Sequence, residues 1–260
     1  MEQNNLFDLY KEEDFNFAEN TTIKYGDLFK LGKHFLMCGD ATNKNDVLKL
    51  MNEKKADMIF TDPPYNVDYE GAAGKIQNDK MKDSAFYTFL FSAFTNMFEN
   101  TKNGGAIYVC HADTEGLNFR NAYKNAGYKL AECLIWVKNA LVFGRQDYHW
   151  RHEPILYGWK EGAAHYFVDD RTQNTVWEYN KPKRNEEHPT MKPLKLVGKA
   201  ITNSSRVGEV VLDLFGGSGS TLIACEQTNR ICYMMELDPK YVQTIINRYE
   251  IFAKRKAIKI

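Results

Sequence analysis

The stretch at residues 211–225, VLDLFGGSGSTLIAC, holds the pattern that decides the fold. Its apolar first half suits a buried strand, its middle is a glycine-rich turn, and the apolar residues after Ser220 suit a helix. A strand, a turn and a helix in this order are typical of α/β proteins with a parallel sheet. Such a turn lets a ligand approach the backbone, and the N–H groups at the helix start can receive a carboxylate or a phosphate.

The turn differs from two common nucleotide-binding loops. No Gly-Lys-Ser/Thr follows it, so it is not a P-loop, and Leu222 stands where the dinucleotide fingerprint needs a third glycine or an alanine. Glu236 follows roughly twenty residues later, at the end of the next apolar run, where an acid can accept hydrogen bonds from both ribose hydroxyls. The pair predicts a nucleoside ligand without a pyrophosphate, although a tight connection that binds nothing could use the same glycines.

The rest of the chain alternates short apolar runs with longer helical patterns, which predicts parallel strands joined by crossover helices. Strands are expected at 34–39, 56–61, 105–110, 130–138, 153–160, 209–215 and 230–237. Helices are expected at 45–51, 84–99, 113–126, 192–204, 220–228 and 239–254. The predicted fold class is α/β, with one domain over residues 1–260 and a seven-stranded, mostly parallel sheet that carries helices on both faces.

Two regions interrupt the alternation. Residues 66–83 are polar and contain glycine, and their length suggests a mobile lid. Residues 139–187 concentrate Arg, His, Trp and Tyr, and we interpret them as an inserted region that recognises a substrate. An ordinary surface elaboration is the alternative for this second region, because its acids nearly cancel its bases.

Bulk composition excludes several classes of protein. The 260 residues contain no apolar run near the ~20 residues of a membrane span, and the N-terminus has no signal-peptide pattern. We therefore expect a cytoplasmic protein without a membrane partner. The five cysteines form no C-x-x-C pair, and His149 and His152 lack a third ligand at a suitable spacing, so no disulfide framework and no metal are expected. A net charge of zero supplies no global positive field for nucleic acid.

A second motif, Asp62, Pro63, Pro64 and Tyr65, follows the strand expected at 56–61 and so falls at the carboxyl edge of the sheet, where open α/β folds bind ligands. The exocyclic amine of adenine or cytosine is a poor nucleophile because its lone pair is delocalised into the ring. Asp62 and the Pro63 carbonyl can accept hydrogen bonds from that amine and free the lone pair for attack. Tyr65 can stack on the base after it is flipped from its duplex. A rigid strand exit without chemistry is the alternative.

Three motifs together resemble those of a known family, the S-adenosylmethionine-dependent amino DNA methyltransferases. They are DPPY at 62–65, DLFGGSG at 213–219 and HPTMKP at 188–193. Their order, with the catalytic motif first, a variable region next and the glycine turn last, resembles that of the beta group. The resemblance implies a circularly permuted, Rossmann-like methyltransferase sheet with its last strand reversed. It also implies S-adenosylmethionine as cofactor and double-stranded DNA as substrate.

The resemblance further implies a set of site residues. Asp62, Pro63, Pro64 and Tyr65 would be catalytic. The cofactor would contact Asp40 and Ala41 near its adenine, Glu236 and Asp238 near its ribose, and His188, Thr190 and Lys192 over its carboxylate. Its methionine part would lie on Asp213, Phe215, Gly216, Gly217, Ser218, Gly219, Ser220 and Thr221. The region at 139–187 occupies the place of the target-recognition region, and Arg145 and Arg151 are the expected readers of base edges, because a guanidinium can bond a guanine edge in a bidentate manner.

Several alternatives stay open at this point. The recognition region is short and electrically balanced, so DNA binding would depend on few residues or on a second copy of the chain in a homodimer. The acceptor could be cytosine N4, an RNA base or a glutamine amide, although the Asp62 form of the motif favours adenine N6 by resemblance. A nucleic-acid-binding regulator without activity is the alternative from another class, and the intact DPPY and DLFGGSG motifs argue against it.

Overall fold

Five parallel strands lie at the centre of the computed structural model, which describes residues 15–67, 70–71, 74–75, 79–142, 147–180 and 191–260. In chain order the strands are β1 (Leu28–Leu31), β2 (His34–Cys38), β3 (Ala56–Thr61), β4 (Glu70–Gly71), β5 (Gly74–Lys75), β6 (Thr101–Cys110), β7 (Lys129–Val142), β8 (Trp150–Trp159), β9 (Val176–Glu178), β10 (Val210–Asp213), β11 (Ile231–Glu236) and β12 (Ile258–Lys259). The main sheet has the order β12-β1-β2-β11-β10-β3-β6-β8-β7-β9, and β4 and β5 form a separate pair.

The strands β2, β11, β10, β3 and β6 run parallel, and β8 is antiparallel to β6 and to β7. All seven predicted strands are present. One of them, β8, is reversed relative to the parallel strands, which agrees with the reversed strand that the family resemblance implies. Three short strands extend the predicted sheet at its edges: β1 and β12 on one side and β9 on the other. They escaped prediction because two to four residues carry too little periodicity to distinguish a strand from a loop.

The helices are α1 (Lys44–Met51), α2 (Asp83–Glu99), α3 (Gly116–Asn125), α4 (Leu194–Ser204), α5 (Ser220–Gln227) and α6 (Pro239–Ala253). A short 3₁₀ turn at Asp113–Glu115 precedes α3. All six predicted helices are confirmed, with ends displaced by at most a few residues, as is usual at frayed or capped termini. No helix in the described ranges combines the length and apolar character that crossing a bilayer requires.

The helices cover the two faces of the sheet in two groups. Alternate strand residues point to opposite faces, so that Phe60 belongs to one apolar core and its neighbour Ile59 to the other. The first core packs against α4, α5 and α6, and the second packs against α1, α2 and α3. This three-layer arrangement buries the parallel strands on both sides and leaves their carboxyl ends for the loops that bear the predicted motifs.

Candidate active site

Four adjacent strands end at one edge of the sheet with a predicted motif residue each. Asp40 follows β2, Glu236 ends β11, Asp213 ends β10, and Asp62 follows β3. The backbone N–H of Gly39 donates to the Glu236 carbonyl at 3.0 Å, which continues the pairing of β2 with β11 to the end of both strands. The sheet order therefore brings together residues from both ends of the chain, at the edge where open α/β folds bind ligands.

The glycine turn between β10 and α5 exposes its backbone. Gly217 and Gly219 have φ angles of +51° and +84°, which glycine adopts at little cost. A Cβ placed on Gly217 would meet nothing within 4 Å, whereas one on Gly219 would lie 3.1 Å from Ile245. Gly219 is thus required by packing against α6, and Gly217 faces open space from which a ligand can reach the main chain.

Glu236 is bonded directly to this turn. Its Oε2 accepts the N–H of Gly217 at 2.8 Å, and its Oε1 accepts the N–H of Asp238 at 2.9 Å. Burial raises the pKa of Glu236 to about 7, although the two backbone donors oppose the rise. Glu236 therefore shapes the turn and keeps further acceptor capacity on both oxygens, since each carboxylate oxygen offers two lone pairs.

Asp213 lies beneath the turn with its carboxylate fully engaged. Its Oδ1 accepts from the Thr61 hydroxyl and from the Phe215 N–H, both at 3.1 Å, and its Oδ2 accepts from the Thr221 hydroxyl at 2.6 Å. Burial raises its pKa to about 7 against the effect of these donors. Asp213 and Thr221, both expected at the methionine part of the cofactor, thus bond to each other and hold the turn in place from inside the protein.

Two further acids expected near the cofactor also stabilise the local backbone. Asp40 Oδ1 accepts the N–H and the hydroxyl of Thr42 at 2.8 Å each, in a turn that leads to α1. Asp238 is the N-cap of α6, because its Oδ1 accepts the N–H of Lys240 at 2.8 Å and Pro239 opens the helix. Ala41 is buried between these segments and α2, where its carbonyl accepts from Asn96 at 2.9 Å.

The catalytic motif follows β3 directly. Pro63 is buried, and Asp62 keeps about a quarter of its side-chain exposure. The Tyr65 hydroxyl donates to Asp62 Oδ1 at 2.6 Å, and the Tyr65 ring meets Phe119 edge to face at 6.3 Å between centroids. The carboxylate of Asp62 therefore points along the motif towards Tyr65, with one side open to a substrate.

Lys192, which is expected over the cofactor carboxylate, contacts the catalytic motif at Asp62. Its Nζ is 2.6 Å from Asp62 Oδ2, 3.0 Å from the Tyr65 hydroxyl and 3.3 Å from Glu153 Oε2. None of the ammonium contacts found in the described ranges involves the glycine turn. The reason is positional: Lys192 immediately precedes Pro193, the N-cap of α4, and this cap packs beside the end of β3.

Two charged residues that sequence reasoning missed complete the surroundings of Asp62. Glu153 on β8 accepts from the Lys138 ammonium on β7 at 2.5 Å, and Lys138 is almost fully buried. Burial pushes the pKa of Glu153 upward, but Lys192 and Lys138 outweigh it and lower the pKa to about 2. The only sequence signal was a charged residue within each of two strands predicted to be buried, which is a weak indication when the partner strands are unknown.

The predicted recognition residues lie only partly within the described structure. Arg145 is outside the described residues, as are His188 and Thr190, which are predicted over the cofactor carboxylate. Arg151 is on β8, and its Nε donates to the Lys138 carbonyl across the β7–β8 hairpin at 3.1 Å. Cys110, the last residue of β6, pairs with Ile155, which also pairs with Leu134. Residues 135–142 and 150–154 thus extend the hairpin past the level at which β6 ends, beside the catalytic motif.

No group of three or more His, Cys, Asp or Glu side chains within the described ranges is placed to hold a metal ion. The carboxyl edge of the sheet therefore presents the exposed N–H groups of the glycine turn, several buried carboxylates, and Asp62 with its neighbours Tyr65 and Lys192. This set suits the binding of a nucleoside-like molecule next to a hydrogen-bonding carboxylate.

Comparison with known proteins gives concordant findings. A family model described as DNA methylase matches residues 56–248. The DNA adenine methyltransferase YhdJ of Escherichia coli (strain K12) is 23% identical over 239 residues, covering 78% of this chain and 79% of that protein. The crystal structure of the M1.HpyAVI-SAM complex has a TM-score of 0.64 at 22% identity, covering 82% of this chain and 98% of that one. The cytosine-N4-specific PvuII DNA methyltransferase has a TM-score of 0.65 at 14% identity, with 90% and 98% covered.

Proposed function

The chain belongs to the DNA methylase family, and from that membership we propose that it transfers a methyl group from S-adenosylmethionine to the exocyclic N6 of adenine in double-stranded DNA. The observation that carries the proposal is the meeting of two motifs 152 residues apart in sequence. Thr61, just before Asp62, bonds to Asp213, just before the glycine turn, across the paired strands β3 and β10. The predicted acceptor site and the predicted cofactor site therefore share one edge of the sheet.

The residues present fit the cofactor. Gly217 leaves its backbone open, and Glu236 lies in contact with that turn, with lone pairs available for ribose hydroxyls. When bound, S-adenosylmethionine would supply an electrophilic methyl group for the acceptor nitrogen, would remain as the neutral thioether, and the displaced amine proton would pass to solvent water. The glycine turn would hold the methionine part, Glu236 the ribose and Asp40 the side of the adenine.

The catalytic motif acts on the acceptor. Asp62 and the Pro63 carbonyl would accept hydrogen bonds from the two N–H groups of the amine, so that the nitrogen lone pair turns out of the ring system and towards the methyl group. The two consecutive prolines limit the freedom of that carbonyl. The Tyr65 ring would stack on the flipped base and orient the amine, which is a contribution from positioning. No covalent intermediate on the protein is needed.

Adenine is preferred over cytosine as the acceptor on two grounds. The relative YhdJ is named an adenine methyltransferase, and the DPPY form of the motif is associated with adenine by family resemblance. The likeness to the cytosine-N4-specific PvuII enzyme concerns the fold alone, because a common scaffold serves both amines. Cytosine N4 is accordingly the second candidate acceptor.

The target-recognition role of residues 139–187 also belongs to this proposal. The extension of the β7–β8 hairpin past the end of β6 supports it, since that hairpin stands beside Asp62 where a flipped base would enter. Arg151 on β8 is a candidate base reader within this hairpin. A second copy of the chain in a homodimer would add contacts to DNA phosphates, which would support binding by a chain whose net charge is zero.

Methyl transfer to unmethylated duplex DNA with labelled S-adenosylmethionine tests the function directly. The DNA would be digested to nucleosides, and we expect the label in N6-methyl-2′-deoxyadenosine, with none in N4-methyl-2′-deoxycytidine. Label in the cytidine product would replace the preferred acceptor with the second candidate. Absence of both products from protein that still binds the cofactor would favour an inactive DNA-binding regulator.

A further inference from the structure

Five side chains from four segments form one hydrogen-bonded cluster around the catalytic carboxylate. Asp62 and Tyr65 come from the motif after β3, Glu153 from β8, Lys138 from β7 and Lys192 from the residue before the α4 cap. Lys192 bridges the two carboxylates, at 2.6 Å from Asp62 Oδ2 and 3.3 Å from Glu153 Oε2. Lys138 holds the other Glu153 oxygen at 2.5 Å.

The cluster is balanced in charge, with two carboxylates and two ammonium groups. Lys192 and Lys138 keep only 7% and 6% of their side-chain exposure, Glu153 keeps 19% and Asp62 keeps 25%. Buried charges are tolerated when each is paired and hydrogen-bonded, and removing one partner leaves a costly isolated charge. Asp62 is the most accessible of the four charged groups, so a substrate can reach the cluster through it.

We propose that Lys192 is a positioning residue for methyl transfer, which keeps the Asp62 carboxylate ionised and oriented towards the acceptor amine, with Glu153 and Lys138 completing the charge balance around it. This inference rests on the proposed function for its purpose, but its electrostatic part concerns the protein alone. An ionised Asp62 can only accept hydrogen bonds, and a protonated one would offer a donor to an amine that is itself a donor.

The electrostatics of the cluster support this assignment. Burial raises the pKa of Asp62, Lys192 opposes the rise, and Glu153 adds to it. Burial disfavours the Lys192 ammonium, but Asp62 and Glu153 outweigh that effect and raise its pKa. Tyr65 and Cys110 also face the cluster, and both are neutral near pH 7 because burial raises their pKa values. Lys192 is thus the cation that counteracts the rise in the Asp62 pKa caused by burial and by the Glu153 carboxylate.

The test measures the pKa of Asp62 in ligand-free protein by ¹³C NMR of labelled carboxylates, assigned by comparison with Asp62→Asn. We expect Lys192→Met to raise that pKa by about 1 to 3 units, the usual effect of losing an opposite charge within a few ångströms. Lys192→Arg should restore most of the wild-type value. The double variant Lys192→Met/Glu153→Gln should fall between Lys192→Met and wild type, because it removes one charge of each sign.

Two other variants serve as an alternative if Lys192→Met misfolds and as a control for the nonspecific effect of removing a lysine. Glu153→Gln keeps one oxygen acceptor for the two lysines but loses its negative charge, so it should lower the pKa of Asp62 and decides the question if Lys192→Met does not fold. Lys199→Met is the matched control on α4, since its ammonium lies over the Trp177 ring at 4.9 Å, and it should leave the pKa unchanged.

Kinetics give an independent readout. The acid limb of the kcat profile should move to higher pH in Lys192→Met, with kcat at pH 7 reduced about tenfold or more and KM for S-adenosylmethionine little changed. An unchanged Asp62 pKa in both Lys192→Met and Glu153→Gln would overturn the inference. A wild-type protein without methyl transfer would overturn the proposed function instead, because the NMR measurement needs neither DNA nor cofactor.

Discussion

The Thr61 hydroxyl donates a 3.1 Å hydrogen bond to Oδ1 of Asp213, and this contact joins the strand before the catalytic motif to the strand before the glycine turn. Both side chains are buried. Asp213 also holds Phe215 and Thr221, so one carboxylate determines the spacing between β3 and the first residues of the turn.

Replacing Thr61 by valine should weaken this junction. Thr61→Val keeps the shape and removes the donor, so we expect unfolding free energy to fall by about 1 kcal/mol, the usual value of a buried hydrogen bond. Denaturant unfolding would measure it. Thr88→Val is the control, because Thr88 is exposed on α2, where its hydroxyl bonds to the Ser84 carbonyl, and the loss of that bond should matter less. Equal losses in both variants would contradict a special role for Thr61.

Removal of the Asp62 carboxylate should separate catalysis from cofactor binding. Asp62→Ala is expected to abolish methyl transfer and to leave S-adenosylmethionine affinity largely intact, because the carboxylate acts on the amine in the transition state. Single-turnover transfer and calorimetric titration measure the two quantities on the same protein. Substantial remaining turnover would remove Asp62 from the catalytic role.

Substitutions of Tyr65 distinguish its ring from its hydroxyl. The hydroxyl donates to Asp62 Oδ1 at 2.6 Å and lies 3.2 Å from Glu153 Oε2. Glu153 can therefore accept the hydrogen bond of the hydroxyl when a substrate amine replaces the hydroxyl at Asp62. Tyr65→Phe and Tyr65→Trp should retain most base capture. Tyr65→Ala should lose about 1 to 3 kcal/mol of stacking. Fluorescence of 2-aminopurine at the target position reports capture, and equal losses in all three variants would assign the role to the hydroxyl.

The affinity for S-adenosylmethionine should depend on pH through Glu236, whose pKa of about 7 lies above its ordinary value because the group is buried. Ribose hydroxyls that donate to Glu236 favour its ionised form, so binding should release protons near pH 6 and tighten as pH rises through 7. Glu236→Ala should weaken binding by about 1 to 3 kcal/mol. Calorimetry in buffers of different ionisation enthalpy measures both effects.

Asp213 provides the control for the Glu236 experiment, since its pKa is also raised to about 7 by burial. The hydrogen bonds of Asp213 described above all go to protein donors, so Asp213→Asn should preserve the pH dependence of binding, whereas Glu236→Gln should remove most of it. Wild-type affinity and wild-type pH dependence in Glu236→Gln would move the ribose contact to another residue.

Arg151 offers a test of the recognition hairpin. If its guanidinium reads a base edge, Arg151→Ala should relax sequence choice at one position, at a cost of about 1 to 3 kcal/mol, and leave melting temperature nearly unchanged. If it only braces the hairpin through the Lys138 carbonyl, melting temperature should fall and the recognised sequence should stay the same. Arg145→Ala would be assayed in parallel on the same library of DNA sites.

A lysine at the opposite edge of the sheet provides the control for nonspecific electrostatic effects in the assay on DNA sites. Lys54 is exposed and precedes the start of β3, so Lys54→Ala should not alter site preference. Unchanged preference in both arginine variants would exclude them from the recognition surface.

The sequence by itself determined the elements and two of the motifs. The seven predicted strands and six helices follow from local periodicity, and the DPPY and DLFGGSG segments follow from the backbone demands of Pro and Gly. These signals depend on neighbouring residues along the chain. Gly217 and Glu236 could therefore be paired from their spacing alone, before their 2.8 Å contact was known.

The tertiary structure alone decided which distant residues meet. Lys138, Glu153 and Lys192 belong to three separate segments, and no local pattern shows that their charges converge on Asp62. Their pairing depends on the order of β6, β8 and β7 and on the packing of the α4 cap, which long-range burial determines. For the same reason the support that Asp213 gives the turn from within could not be predicted, because its hydrogen-bond partner Thr61 lies on a strand 152 residues away along the chain.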